Sequence, residues 1–169
     1  MPAPVVRPAR DDDASGVIAL VAACFAEYDN CVLDLEHESG HLLRVASHYA
    51  GVDGRAWVAT TGDGVVGCVA CRPAPDGVLE LQMLYVAAPE RRRGLGASLV
   101  GLVEDEARRR GAGAVELWSD TRFLDAHRLY AGLGYERLAG TRELRDASDT
   151  VEFHFRKALP VPGSAATDD

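Results

Sequence analysis

Three arginines, Arg91, Arg92 and Arg93, run directly into Gly94-Leu95-Gly96-Ala97, after the apolar stretch Leu84-Tyr85-Val86 and before a helical pattern. That order suits an anion. The first N–H groups of a helix have no acceptor within it, and the helix dipole places partial positive charge on them. Gly94 and Gly96 keep side chains away from those donors, and the arginines add full charges beside the partial ones. Read alone, an arginine run is a solvated loop; its position between strand and helix turns it into an anion cradle. The loop lacks the Gly-Lys-Ser/Thr ending of a nucleoside-triphosphate loop. It also lacks the third glycine of a dinucleotide fingerprint, since position 99 is Leu99. The ligand it fits is a diphosphate held without a metal-binding hydroxyl.

Two other groupings have residue types suited to chemistry. His37-Glu38-Ser39-Gly40-His41 satisfies the zinc-protease pattern His-Glu-x-x-His. That chemistry needs both histidines on consecutive turns of one helix and a third ligand elsewhere. Gly40 lies between them and Ser39 reads as a helix cap, which leaves His37 outside the helix, so no metal site is expected. Cys68-Val-Ala-Cys71 has redox or zinc spacing, but it sits in a strand-like run, where residues three apart point to opposite faces. With Cys24 and Cys31 added, the four cysteines do not make a disulfide framework at this length. His127 and His154 read as polar fillers.

Periodicity and turn residues define the elements that must position these groups. Val5–Arg7 predicts a short strand. Asp11 to Asp13 supply cap and negative charge for a helix with Val17, Leu20, Val21, Cys24 and Tyr28 as its apolar stripe. A second helix starts near Ser39, with Leu42, Leu43, Ala46 and Tyr49 on its buried side. A hairpin turns at Thr61-Gly62-Asp63-Gly64, and after a turn at Pro73 to Gly77 comes the strand Val78–Val86. From Gly94 to Arg110 the pattern is helical, with Leu95, Leu99, Leu102, Val103 and Ala107 recurring until Gly111 stops it. A strand from Ala114 follows within a few residues, making a βαβ unit with a parallel pair. A helix over Phe123 to Leu133 and strands over Tyr135 to Leu144 and Thr150 to Ala158 close the fold. Residues 1–159 are expected to form one domain, and 160–169 a disordered tail.

With 169 residues, 47% of them hydrophobic and 26% charged, the chain fits one packed domain. A net charge of −8 opposes nucleic acid and anionic membrane as partners and suits an amine-bearing one. No stretch of 18 apolar residues and no secretion signal stand in the sequence, so the expected location is cytoplasmic.

The stretch LYVAAPERRRGLGASLV resembles motif A of the GNAT superfamily of N-acetyltransferases, whose hallmark Gln/Arg-x-x-Gly-x-Gly/Ala is present as Arg91-Arg92-Arg93-Gly94-Leu95-Gly96. The block from Asp125 to Leu138 is similar to the family's second motif through Ala126, Leu129, Tyr130, Gly134 and Tyr135. The resemblance is strongest from Glu80 to Leu138 and extends in element order from Val5 to Ala158. It implies a single-domain, GNAT-like α/β fold: a mixed, mostly antiparallel sheet with one central parallel strand pair, flanked by helices. It also implies acetyl-CoA as the acetyl donor, bound between two splayed strands. Pantetheine would pair with the backbone of Leu84, Tyr85 and Val86. The diphosphate would sit on Arg91, Arg92, Arg93, Gly94, Leu95, Gly96 and Ala97, with arginine side chains reaching either the diphosphate or the 3′-phosphate.

Acetyl transfer to an amine needs a neutral amine, a polarised thioester carbonyl and a proton for the leaving thiolate. An alkyl ammonium with a pKa of ~10.4 is less than ~0.1% neutral at pH 7, so a base helps. Glu80, where many family members carry a glutamate, is the candidate base; its alternative is a structural ion-pair partner. The resemblance puts a strand bulge near Met83 or Leu84, whose N–H would polarise the carbonyl. Tyr130 is the candidate acid, with a reference pKa of ~10 against ~8.5 for a thiol. Its alternative is one more aromatic on the apolar stripe with Phe123 and Leu133. In the family, the segment between the first two helices shapes the acceptor pocket, which nominates Tyr28, Asp34, Glu36 and His37. The expected function is N-acetyltransferase by direct attack, acting on a small-molecule or peptide amine as monomer or homodimer. The alternative is a catalytically idle acyl-CoA-binding domain.

Overall fold

Seven extended segments pair edge to edge here, and the central ones bury consecutive residues because both sheet faces are covered. The computed structural model describes residues 2–160; the remainder of the expected tail, 161–169, lies outside the described residues. In chain order the elements are β1 (Val5–Pro8), α1 (Ala14–Phe25), α2 (Val45–Gly51), β2 (Arg55–Thr61), β3 (Gly64–Ala74), β4 (Val78–Val86), α3 (Leu95–Arg109), β5 (Ala114–Asp120), α4 (Leu124–Gly132), β6 (Glu136–Glu143) and β7 (Val151–Ala158). The sheet order is β1-β2-β3-β4-β5-β7-β6. Every neighbouring pair is antiparallel except the central β4–β5 pair, which the α3 crossover makes parallel.

Two cores lie on the two faces. Leu79 and Leu81 of β4 pack with Leu99 and Val103 of α3, Tyr130 of α4 and Phe155 of β7. On the other face Val17, Leu20 and Val21 of α1 pack with Val58 and Cys68, while Tyr49 of α2 covers Ala70. Each fully buried Leu or Val contributes roughly 1.5–3 kcal/mol. Cys68 and Cys71 fall in the two different cores, as a three-residue offset in a strand requires, and all four cysteines are free thiols.

The first two helices differ from expectation. Asp11–Asp13 form a 3₁₀ turn of their own, where the Asp13 carboxylate accepts the Arg10 N–H at 2.8 Å and grips Arg7. Tyr28 lies beyond the end of α1 at Phe25. The second helix enters through a 3₁₀ segment, Gly40–Arg44, before α2 begins. Three residues per turn in that segment shift the phase of the stripe, so Val45 is buried with Leu42 and Tyr49 while Leu43 is 57% exposed. Ser39 makes no side-chain cap; its carbonyl instead accepts the Leu42 N–H at 3.0 Å.

One irregularity matters most for the site. Between the pairs Cys68↔Tyr85 and Ala70↔Gln82, β4 has two residues where β3 has one, and Met83 takes a positive φ of 56°. This is a β-bulge at the place the resemblance implied, and it bends the strand. Strand β4 pairs with β5 only at Val78↔Ala114, Leu79↔Val115 and Glu80↔Glu116. Beyond Glu80 the two strands part.

Candidate active site

The parting of β4 from β5 opens a cavity of about 550 Å³, walled by the end of β4, the start of α3, α4 and the end of α1. From β4 come Leu84, Tyr85 and Val86, and from the arginine–glycine loop come Arg91, Arg92, Gly94, Gly96 and Ala97. Ala126 and Leu129 of α4 face them, and Phe123 packs against Tyr28 with the rings tilted and their centroids 4.9 Å apart.

Backbone donors end at this cavity. Gly94 caps α3 with φ of 86°, a left-handed conformation that favours glycine. The Ser98 N–H reaches the Gly94 carbonyl at 3.0 Å, and no side chain caps the helix. The N–H groups of Leu95, Gly96 and Ala97 therefore have no helical acceptor. At Gly96 a Cβ would come within 3.0 Å of Leu129 Cδ2, so glycine keeps the passage between α3 and α4 open.

The three arginines have separate fates. Arg91 is tied to the protein: its two terminal nitrogens reach Glu27 at 2.7 Å each and its Nε donates to the Val86 carbonyl at 2.9 Å. The Glu27 hydrogen bond holds this guanidinium charged, and Arg91 in turn pulls the Glu27 carboxyl below its usual range. Arg93 reaches the buried Glu90 at 3.2 Å and does not line the cavity. Arg92 is exposed, lines the cavity with a φ of 59°, and makes no side-chain bond among the described residues. Leu95 is buried in the core, so only its backbone can serve an anion.

Neither Glu80 nor Tyr130 is among the residues lining the cavity, and the two belong to opposite faces of the sheet. Glu80 is 9% exposed and accepts from Arg72 Nε at 3.1 Å and Gln82 Nε2 at 3.2 Å; Gln82 accepts in turn from Tyr49 at 2.9 Å. Tyr130 is 4% exposed, with its ring against Tyr135 and Phe155. Its hydroxyl makes no hydrogen bond among the described residues, yet no fully sealed side-chain polar atom there lacks a partner, so that oxygen borders open space. Burial pushes its pKa up, which keeps it protonated at neutral pH. Tyr85, also raised by burial and secondarily by Cys68, Cys24 and Tyr130, is a phenol on the cavity wall.

Of the segment nominated for the acceptor, Tyr28 lines the cavity. Asp34 instead fixes a turn, accepting the N–H groups of Glu36 and His37 at 3.1 and 3.0 Å, and the His37 side chain is 73% exposed. His37 lies outside the helix, whereas His41 packs edge-on to Tyr49, 6.5 Å between centroids. No group of three or more His, Cys, Asp or Glu could hold a metal ion among the described residues. His127 bonds to Ser119 and the Asp120 carbonyl, and His154 stacks on Trp118 at 4.2 Å. Sequence reasoning missed Glu27, because nothing local to it announces a partner 64 residues away. It also missed Arg122, whose fork on Asp120 two residues earlier is a local Asp-x-Arg signal.

The model of the acetyltransferase (GNAT) family matches residues 19–135. The chain is 32% identical over 127 residues to N-acetyltransferase family 8 member 2 of Rattus norvegicus, covering 70% of this chain and 56% of that relative. It thus spans little more than half the length of the curated relatives it matches. Its fold is similar to a GNAT-family acetyltransferase from Staphylococcus aureus Mu50, with TM-score 0.80, 14% identity, and 94% of this chain and 100% of that one covered. A Salmonella typhimurium structure described with its cofactor acetyl-CoA aligns with TM-score 0.73 and 18% identity over 99% of both chains.

Proposed function

This chain belongs to the GNAT acetyltransferase family, and from that premise we propose that it moves an acetyl group from acetyl-CoA to a primary amine by direct attack. The observation that carries this reading is the shared cavity of the bulged β4 and the uncapped start of α3. Pantetheine fits along Leu84 to Val86, where β4 has lost its β5 partner. The diphosphate fits the amides of Leu95, Gly96 and Ala97, with Arg92, whose side chain has no partner among the described residues, beside them. Arg91 and Arg93 hold the loop in shape and do not serve as ligands through their side chains.

Amine and thiolate chemistry divide across the sheet. Glu80 stands on the α1–α2 side, where it would take the proton of the incoming ammonium, directly or through water. Tyr130 stands on the α3–α4 side, where its protonated hydroxyl would serve the departing sulfur. The freed backbone at the Met83 bulge would polarise the thioester carbonyl. The product amide and free CoA balance the step: the amine nitrogen bonds the acetyl carbon and gives up one proton, the carbon–sulfur bond breaks, and the thiolate gains one proton.

The test is binding and turnover together. Calorimetry with acetyl-CoA should give one site, and a panel of amines should release CoA with a product heavier by one acetyl group. The second reading, acyl-CoA binding without transfer, draws on the Arg72–Glu80 ion pair. It predicts binding with no acetylated product from any amine.

A further inference from the structure

At the bulge, β4 sets Met83 and Leu84 against the single β3 residue Val69, and neither has a register partner. A bulge leaves backbone groups outside the ladder. Here a side chain takes one of them: the Cys68 thiol donates to the Met83 carbonyl at 3.2 Å. Cys68 is 2% exposed and packs in the α1 core with Val17, Leu20, Met83 and Tyr85. Burial, and then the neighbouring Cys24 thiol, push the Cys68 thiol up to about 12, against a smaller downward pull from the Tyr85 N–H. The sulfur therefore keeps its proton, and a carbonyl can only accept one.

That bond acts on more than one oxygen. The Met83 carbonyl and the Leu84 N–H belong to one planar peptide unit, and in a trans unit they point in opposite directions. Holding the carbonyl on Cys68 turns the Leu84 N–H away from Cys68. Leu84 lines the cavity, in the part of β4 that has no β5 partner. A positive φ at a methionine persists only where the surroundings hold it, and the thiol is such a hold. At the far end of Leu84 to Val86, Arg91 Nε holds the Val86 carbonyl in the same way.

We infer that Cys68 is a positioning residue for acetyl transfer: its thiol, through the Met83 carbonyl, aims the Leu84 N–H at the thioester oxygen. The inference rests on the acetyl-transfer reading above and names the donor that polarises the carbonyl in that same site. A thiol buried for packing alone is replaceable by any apolar side chain of its size. One that holds a peptide plane is replaceable only by another donor.

Infrared difference spectroscopy of acetyl-CoA, isotope-labelled at its thioester carbonyl, reads this polarisation without an acceptor. Bound to the full chain, the carbonyl band should lie below its position in water. Cys68→Val, similar in size but with no donor, should return the band toward that position, whereas Cys68→Ser, which keeps a donor, should restore the wild-type shift. Cys68→Ala removes the donor without adding bulk and serves if the valine protein does not fold. CoA, which lacks the thioester, should bind all the folded variants alike by calorimetry. With an accepted amine, kcat of the donorless variant should fall about tenfold with KM for acetyl-CoA kept. A wild-type band that does not move on binding, or one that shifts equally in wild type and the donorless variants, overturns the inference. Wild-type protein that binds neither acetyl-CoA nor CoA overturns the acetyl-transfer reading as well, and calorimetry tells that result apart.

Discussion

The Arg91 guanidinium holds the Glu27 carboxylate through two bonds of 2.7 Å while its Nε donates to the Val86 carbonyl at 2.9 Å. The turn after α1, the end of β4 and the loop before α3 are thereby fixed to one another at a single side chain. The consequence is a division of labour in a run of three identical residues. Arg91 ties the loop to Glu27, Arg93 pairs with buried Glu90, and Arg92 is the one we propose for the ligand.

That division is measurable. Arg92→Ala should weaken acetyl-CoA binding about tenfold, the loss of roughly 1–2 kcal/mol of charge-assisted bonding, and make the affinity less dependent on salt. Arg93→Ala should leave affinity near wild type and lower stability, because it strands Glu90. Equal losses of affinity in the two variants would refute the assignment of Arg92.

For Arg91, charge alone is not enough. Arg91→Lys keeps a cation but cannot grip Glu27 with two parallel bonds and reach Val86 as well. It should cost about 1–2 kcal/mol in urea unfolding, discounted for the partial exposure of the pair, and raise KM for acetyl-CoA. A lysine variant with wild-type stability and KM would mean the clamp is incidental.

Most of the fold was legible because its signals are local. Leu95, Leu99 and Val103 recur at helical spacing, the hairpin turn carries its glycines, and Gly94 and Gly111 bracket α3. The bulge at Met83 was not legible from residues, since a methionine at positive φ leaves no trace in composition; only the family resemblance implied it. The phase of the second helix was misread because a 3₁₀ entry and an α-helix share the same residue types. The cavity's loop and strand were named in advance. The fates of Arg91 and Arg93 were not, because their partners Glu27 and Glu90 are chosen by the tertiary fold.

Glu106 gives the fold a pH signature. It is only 3% exposed as a side chain, and hydrogen bonds from Arg109, then Arg110 and Arg55, outweigh burial and bring its carboxyl down to about 2. The unfolded value is ~4.3. A depressed folded pKa stabilises fully above the unfolded value and ceases to do so as pH falls through about 2. The contribution is about 1–3 kcal/mol once the exposure of Arg109 and Arg55 is allowed for. Urea unfolding of wild type and Glu106→Gln should therefore show a gap at neutral pH that closes as acid approaches that range. A gap independent of pH would contradict the account.

Glu80 can be separated into base and ion-pair partner. Glu80→Gln retains one oxygen, enough for Arg72 or Gln82 but not both, and cannot take a proton. If Glu80 is the base, kcat/KM falls about 10²-fold or more and its acid limb flattens, with the fold intact. If it serves only Arg72, stability drops while the limb keeps its shape.

Tyr130 is the sharpest test, because its ring and its oxygen do different things. The ring packs with Tyr135 and Phe155 in the α3–α4 core, whereas the oxygen has no partner among the described residues and borders open space. Tyr130→Phe therefore keeps the packing and strands nothing, so stability and acetyl-CoA affinity should stay close to wild type. If the hydroxyl serves the departing thiolate, its loss falls on the transition state, lowering kcat by about 10²- to 10⁴-fold with KM nearly preserved. The measurement needs the true acceptor, since slow hydrolysis of acetyl-CoA would conceal a lost transfer. A folded Tyr130→Phe protein with wild-type kcat would reduce Tyr130 to packing and leave the proton for sulfur to another donor, for which Tyr85 on the cavity wall is the next phenol to remove.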